Sequence, residues 1–399
     1  MINLNRVKRL STLFCSLLLI LTMTFPADAA FSFLGMTSGD VDFDGSITAE
    51  DARKILRASV GLEPPAWFLR IFYDLDSDNT ISSADARSAL RISVGLDKPP
   101  ENISQYEKML NGMLGGVSQK TLNSHMKALC GIGSRSIVYP QNNTAAQNYI
   151  TTELESYGYT PSKQSFTYAS IKTANIITTL NESNNKDILL LCAHYDCWDG
   201  AEGAIDNASG VAALLHIAKL LKESDISLNK EVRFAFFSAE EYGYHGAYHY
   251  ISKLSSSERN RLIAFNVDMA CNSELGGGKC LVISTEPVTS NYPSRQAKHN
   301  DLSKAIDKTK SHLGNLGESK YYSPVAAGRH DSVPFRVNGI PAVTLSWREI
   351  RASAAYGSDY DLAPPSQIHT TLDTFKNYDA TTLYNTTKLI FGSVLTLCA

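Results

Sequence analysis

Beyond its first thirty residues the 399-residue chain has no apolar run that reads as long enough to cross a bilayer, which predicts no internal membrane span. It also lacks an excess of either charge. The 37 Lys and Arg against 40 Asp and Glu leave a net charge of −3 with no basic stripe, so nucleic acid is excluded as an expected partner. No Gly-x-Ser-x-Gly nucleophile elbow is present. His245 and His249 lie four apart on an expected helix, but Gly246 stands where the His-Glu-x-x-His zinc motif needs Glu. Acyl chemistry on this chain must therefore run on metal and water.

Cysteine is sparse. Cys15 lies in the N-terminal apolar run, and the other six, at 130, 192, 197, 271, 280 and 398, form an even set that export would permit to pair. Cys271 and Cys280 are the pair suited to a disulfide, because Gly276-Gly277-Gly278 between them can turn the chain back. Cys192 and Cys197 flank His194, but Cys192 sits in an apolar strand and reads as a small buried hydrophobe.

Arg6, Lys8 and Arg9 precede an apolar run from Leu10 to Phe25, and Ala27-Asp28-Ala29 offers a small-x-small cleavage pattern. Residues 1–30 thus read as a secretory signal, which implies a secreted, extracellular protein. Cys15 lies inside the run rather than after it, which argues against a lipoprotein anchor. With 43% apolar residues the remainder can bury a large core and predicts two or three domains.

An internal repeat follows. Asp51-Ala-Arg-Lys-Ile-Leu-Arg-Ala-Ser-Val-Gly-Leu and Asp85-Ala-Arg-Ser-Ala-Leu-Arg-Ile-Ser-Val-Gly-Leu are near copies, each preceded by an acidic loop. In the first loop Asp40, Asp42, Asp44, Ser46 and Asp51 take the first, third, fifth, seventh and twelfth places, with Gly45 at the sixth. The second repeats the register with Asp74, Asp76, Asp78, Thr80 and Asp85, and Asn79 replaces the glycine. This is the oxygen-ligand spacing of a calcium loop, so two Ca2+ ions are expected. Ile55 and Leu56 against Val60 read as helix core. With Asp at the twelfth place and no helix ahead of each loop, residues 36–97 resemble a dockerin, the calcium-dependent module that plugs secreted enzymes into cohesin domains of scaffold proteins. The resemblance implies that Ala49-Glu50 and Ser83-Ala84, with the helix faces after them, meet the cohesin. Residues 98–103, opening Lys98-Pro99-Pro100, read as a linker.

From residue 104 to 399 strands and helices alternate. Ser118–Leu129 reads as a helix capped by Ser118, and Ala145–Tyr157 as an amphipathic helix. Ile188–Ala193, Val232–Phe237 and Leu262–Val267 read as strands, and each is followed by metal-type side chains: His194, the pair Glu240 and Glu241, and Asp268. Asp206 falls in the loop after the first strand, and His369 comes much later. In an open α/β sheet such loops converge at one edge. His216, inside an apolar helix pattern, reads as a core histidine. Trp198, Trp347, Tyr356 and Tyr360 read as loop residues near the motifs that either line an apolar specificity pocket or, as aromatic loop residues more often do, simply pack.

His194-Tyr-Asp196, Gly203-Ala-Ile-Asp206-Asn-Ala-Ser-Gly-Val-Ala, Ser238-Ala-Glu240-Glu241-Tyr-Gly-Tyr-His-Gly-Ala, Asn266-Val-Asp268-Met and His369-Thr-Thr-Leu-Asp373-Thr are together similar to the two-zinc aminopeptidases of the bacterial leucyl aminopeptidase type. The resemblance implies that Asp206 bridges two Zn2+ ions, that His194 and Asp268 complete one site and Glu241 and His369 the other, and that Glu240 is the general base. Residue chemistry agrees. Two zinc ions about 3.5–4 Å apart need a shared carboxylate to offset their repulsion. A glutamate kept off the metal can take a proton from water and hand it to the leaving amine. Asp196, two residues beyond His194, could accept that imidazole's second N–H. One motif departs: where such enzymes often carry Ser-Asp-His-x-Pro-Phe, this chain reads His330-Asp331-Ser332-Val-Pro-Phe.

The expected architecture is a mixed central sheet flanked by helices, preceded by a small all-α calcium-loop module. The expected function is a secreted zinc exopeptidase that removes N-terminal residues from peptides and is held on a cohesin-bearing scaffold. Glutaminyl cyclisation and carboxypeptidase or dipeptidase activity on the same fold are the alternatives.

Overall fold

The computed structural model describes residues 38–42, 46–65, 69–76, 80–98, 105–224, 226, 228–275, 278–285, 293–314, 318–322, 330–351, 361–363 and 365–398. The signal-like segment, Asp44, Asp78, most of the proline linker, Tyr356 and Tyr360 lie outside them. The chain divides into two compact units, Met1–Gly115 and Gly116–Ala399.

In the first unit, helices α1 (Ala49–Ser59) and α3 (Ser83–Ser93) are built alike. Each starts on a capping box, Thr48 with Asp51 and Ser82 with Asp85. The one-turn helix α2 (Arg70–Tyr73) stands directly before the second loop, a helix the sequence reading did not expect. Helix α4 (Gln105–Gly115) completes the unit. Its core is small: Val41, Ala52, Ile55, Ile81, Ala86 and Ala89, with Ile47, Phe72 and Leu75 packed against them. Ile55 is in that core as expected, but Leu56 and Val60 face solvent, as do their repeat counterparts Leu90 and Val94. Apolar spacing alone assigned one side of the helix too much burial.

The second unit is built on a nine-stranded mixed sheet in the order β1-β2-β4-β3-β5-β8-β6-β7, with β9 paired to β8. The strands are β1 (Ser162–Tyr168), β2 (Ile171–Leu180), β3 (Ile188–His194), β4 (Glu231–Phe237), β5 (Leu262–Val267), β6 (Gly278–Thr285), β7 (Glu318–Tyr322), β8 (Ala342–Arg351) and β9 (Asp361–Ala363). Its centre, β4-β3-β5-β8, is parallel, while β2 joins β4 and β6 joins β8 antiparallel. Every residue of β3 and β5 is buried, as expected of strands covered on both faces.

The flanking helices of this unit are α5 (Gln119–Gly131), α6 (Pro140–Ser156), α7 (Ser209–Glu223), α8 (His245–Lys253), α9 (Ser256–Arg261), α10 (Pro293–Leu313), α11 (Ser332–Val337) and α12 (Ala380–Cys398). Ser118 caps α5 as read, its Oγ accepting from Thr121 N. Helix α6 begins five residues earlier than read, because Pro140 at its first position needs no N–H partner there. The segment Ala204–Glu223 is long and apolar enough to cross a membrane, contrary to the expectation that none is, yet 94% of its apolar window is buried in the fold. It is the core helix. His216 on it accepts the Ser118 N–H through Nε2, and burial pulls its pKa down to about 3, so it stays neutral as a core histidine should.

Two other readings change. Cys271 and Cys280 are both buried and are not joined by a disulfide. Trp347 is a buried residue of β8 whose indole N–H donates to Thr386 Oγ1 at 2.7 Å, so it packs rather than lining a pocket.

Candidate active site

Because β3, β4 and β5 run parallel and in register, their C-terminal ends share one edge. His194 pairs with Phe237, and Cys192 with Asn266, which sets His194, Glu240 and Asp268 side by side. Asp206 arrives in a tight turn, Ala204–Ala208, that leads into α7. His369 comes from the segment between β9 and α12. Ala239, Met269 and His369 all hold the left-handed backbone, with φ of 58°, 61° and 60°, strain that is affordable where packing and hydrogen bonds over-determine the chain.

The five sequence-predicted ligands come together, and Asp206 divides them. Its Oδ1 lies 3.1 Å from His194 Nε2, which is 3.6 Å from Asp268 Oδ1. Its Oδ2 lies 3.3 Å from His369 Nε2, which is 3.2 Å from Glu241 Oε2. One carboxylate thus serves two donor pairs. His194, Asp206 and Glu241 have ligand atoms within 4.8 Å of one another, as do His194, Glu240 and Asp268. His194 Nε2 and Glu241 Oε1 are buried without a hydrogen-bond partner, which is costly unless a cation takes the lone pairs. This donor set of nitrogen and oxygen ligands fits zinc.

Electrostatics points the same way. Burial pushes Glu240 well above the carboxylate range, and the charges of Asp331, Asp268 and Glu241 add to it against the pull of His194. Burial and Asp206 raise Glu241 to about 7. Hydrogen bonds to Asp206 and Glu241 lift His369 to about 10. For His194 burial works downward, but Glu240 and its contacts with Asp196, Asp206 and Asp268 outweigh it and hold the ring well above its usual range.

Asp196 acts differently from the reading. His194 Nδ1 meets the backbone carbonyl of Asp196 at 3.1 Å, while the carboxylate Oδ1 stands farther off at 3.6 Å. That carboxylate instead accepts the backbone N–H groups of Glu240 and Glu241, at 3.2 and 3.3 Å. It fixes the turn that aims both glutamates, which is a positioning role.

Other supports escaped the sequence reading. Asp373, in the His369 motif, accepts from Ile205 N at 2.7 Å and Asp206 N at 3.2 Å. Asn207 Oδ1 accepts from Gly210 N and Met269 N, tying the Asp206 turn to the Asp268 turn. Arg135, fully buried, donates to the carbonyls of Tyr195, Leu129, Glu202 and Gly203, at 2.5 to 3.3 Å. Gly203 has φ of 61°, and a Cβ there would sit 2.6 Å from Asp206 O, so only glycine lets this loop close over Arg135. Trp198 is half exposed and stacks on His369, with ring centroids 4.6 Å apart.

Comparison with known families matches residues 175–394, more than half of the chain, to Peptidase family M28. The chain belongs to peptidase family M28. Among curated relatives, this M28 chain is 25% identical over 262 residues to Leupeptin-inactivating enzyme 1 of Streptomyces exfoliatus, covering 64% of this chain and 55% of that protein. It is 32% identical over 176 residues to Aminopeptidase YwaD of Bacillus subtilis, covering 43% and 35%. The M28 chain therefore spans about half or less of the length of these relatives. Among solved structures, an aminopeptidase from Aneurinibacillus sp. strain AM-1 is similar with a TM-score of 0.57 at 17% identity, covering 72% of this chain and 95% of that one. A glutaminyl cyclase from Porphyromonas gingivalis is similar with a TM-score of 0.53 at 19% identity, covering 70% and 98%. These likenesses show the fold, an α/β sheet flanked by helices.

Proposed function

We propose that the second unit is a zinc-dependent aminopeptidase of the leucyl aminopeptidase type, which removes N-terminal residues from peptides. The observation that carries this reading is the division of Asp206 between two donor pairs, with Glu240 left over. His194, Asp268 and Asp206 Oδ1 would hold one Zn2+, and His369, Glu241 and Asp206 Oδ2 the other. Zinc bound there supplies Lewis acidity toward the scissile carbonyl and toward water. Glu240, buried beside His194 and Asp268, accepts the water proton at its carboxylate and returns it to the departing amine. Burial suits it to this work by raising its proton affinity. Asp196 keeps its backbone in place during both transfers. Relatives named as aminopeptidases support the reading, and a donor set for two metals favours it over cyclisation of N-terminal glutamine.

The test separates the two glutamates. Glu240→Gln is expected to lose on the order of a hundredfold or more in turnover while both zinc ions remain. Glu241→Gln is expected to lose zinc. Full turnover in the first, or unchanged zinc content in the second, rejects the assignment. Acetylating the peptide N-terminus is expected to abolish cleavage, and cutting of the blocked peptide would move the enzyme to another specificity.

For the first unit we infer a calcium-bound dockerin that attaches the enzyme to a cohesin. The support is geometric: Asp40, Asp42 and Asp51, and again Asp74, Asp76 and Asp85, bring ligand oxygens within 4.8 Å of one another. The exposed pairs Leu56 and Leu90, Val60 and Val94, Leu62 and Leu96 give the two copies matching apolar faces for a partner. With the signal-like N-terminus, this makes a secreted, scaffold-bound enzyme the reading for the whole chain.

A further inference from the structure

His330, the histidine out of step with the usual motif, stands between Asp268 and Arg348. Its Nδ1 lies 2.6 Å from Asp268 Oδ2, and its Nε2 lies 2.6 Å from Arg348 Nη2. All three side chains are buried. What each end can do fixes the protons. A guanidinium only donates, so His330 Nε2 must offer its lone pair. A carboxylate only accepts, so Nδ1 must carry the hydrogen. One neutral tautomer satisfies both contacts, whereas a protonated ring would set N–H against N–H at Arg348. With Oδ2 engaged in this way, Asp268 turns Oδ1 toward His194 Nε2, 3.6 Å away.

We propose that Arg348 and His330 form a relay that holds Asp268 as a one-oxygen metal ligand. Arg348 anchors the ring through Nε2, and His330 keeps Oδ2 occupied. Both are positioning residues. The inference rests on the zinc reading of the site and extends it to His330 and Arg348. A carboxylate free to rotate can offer either oxygen or both, and that freedom must be given up when a metal binds. A donor already on Oδ2 removes it beforehand, and supporting contacts of this kind typically matter ~10–100-fold in metal affinity. The same ring explains why a His two places early is useful here: it reaches the ligand from behind.

The experiment uses the full chain, first without metal. With 15N-labelled histidine, the His330 ring is expected to show a protonated Nδ1 and an unprotonated Nε2, assigned by the signal lost in His330→Asn. In Arg348→Met the Nδ1 proton is expected to stay, since Asp268 still accepts it, while the Nε2 signal loses the shift that a hydrogen-bonded lone pair gives. Zinc affinity is then read by chelator competition. His330→Leu is expected to weaken the tighter zinc ~10–100-fold. His330→Asn, whose amide N–H can take the place of Nδ1, is expected to stay within about threefold, the margin for uncoupled changes. Arg348→Met is expected to weaken zinc binding alone but to add nothing to His330→Asn. A ring protonated on Nε2, unchanged affinity in His330→Leu, or an Arg348→Met effect of equal size in both backgrounds overturns the relay. If the unmutated chain takes up no zinc, the proposed function falls, and the Nε2 signal, read without metal, still decides whether Arg348 anchors the ring.

Discussion

Both units gather carboxylates, but they treat them in opposite ways. In the first unit Asp51 is spent on the chain itself: Oδ1 accepts from Val41 N and Asp42 N, and Oδ2 from Thr48 N and Thr48 Oγ1. Asp85 repeats the pattern with Leu75, Asp76 and Ser82. At the sheet edge, by contrast, Asp206, Glu241 and Asp268 face each other and two histidines, and His194 Nε2, Glu241 Oε1 and both oxygens of Asp331 have no hydrogen-bond partner. The first arrangement ties its twelfth-place carboxylates into the loops they close, beside the oxygens that would hold the proposed calcium. The second leaves its carboxylates facing one another, at a cost in stability that the large core can bear.

The sharpest way to break this contrast is to remove the shared carboxylate. Asp206→Ala takes an oxygen from both donor pairs, so zinc content is expected to fall from two per chain to below one. Peptide hydrolysis should drop by more than the ~10–100-fold typical of a lost supporting contact. Metal analysis beside a peptidase assay checks both, and one zinc retained at full occupancy would show that the halves do not share Asp206.

A smaller effect is expected in the first unit. Asp51→Ala removes the acceptor of four hydrogen bonds in a buried loop and should cost that unit about 1–3 kcal/mol. Calcium-free thermal unfolding should show its transition shifted down, with the transition of the peptidase unit unmoved. Equal shifts in both would mean that the loop is not a local device.

The smallest effect is a proton count. His369, raised to about 10 by Asp206 and Glu241, and His194, held above its usual range by Glu240, must both shed a proton before they can take a metal. Zinc uptake near pH 8 is therefore expected to release more than one proton per chain, and affinity should fall as pH is lowered. Calorimetry in two buffers of different ionisation enthalpy measures this. Release of less than one proton would show that the free histidines are already neutral.

The donor cluster was legible in the sequence because strand ends are. An apolar run that stops at His194 or Asp268 announces both the strand and what its edge presents, and parallel register then brings the edges together. The duplicated loops were legible because each copy confirms the other. What escaped were contacts between distant segments: Arg135 with the carbonyls of Glu202 and Gly203, Asp373 with the Asp206 turn, Arg348 with His330. No local pattern marks an arginine that binds carbonyls. Asp196 was placed beside His194, where its carboxylate lies 3.6 Å from Nδ1, but its bonds to the Glu240 and Glu241 N–H groups were missed, since spacing does not show which N–H groups a carboxylate faces. Leu56 and Val60 were assigned to a core because helical spacing cannot tell which apolar face has something to pack against.

The bond from Ile205 N to Asp373 spans 168 residues, and His369 meets Asp206 across nearly the same interval. Contacts so far apart in the chain form late, after the loop between them has been closed by other structure. During synthesis the β3–β4–β5 edge can therefore form before His369 and Asp373 exist, and the Asp206 turn and the pair His369 and Glu241 are completed only when that late segment docks. If zinc binds as proposed, the site at His369 and Glu241 is the last to be completed, and peptidase activity would have to wait for the end of the chain.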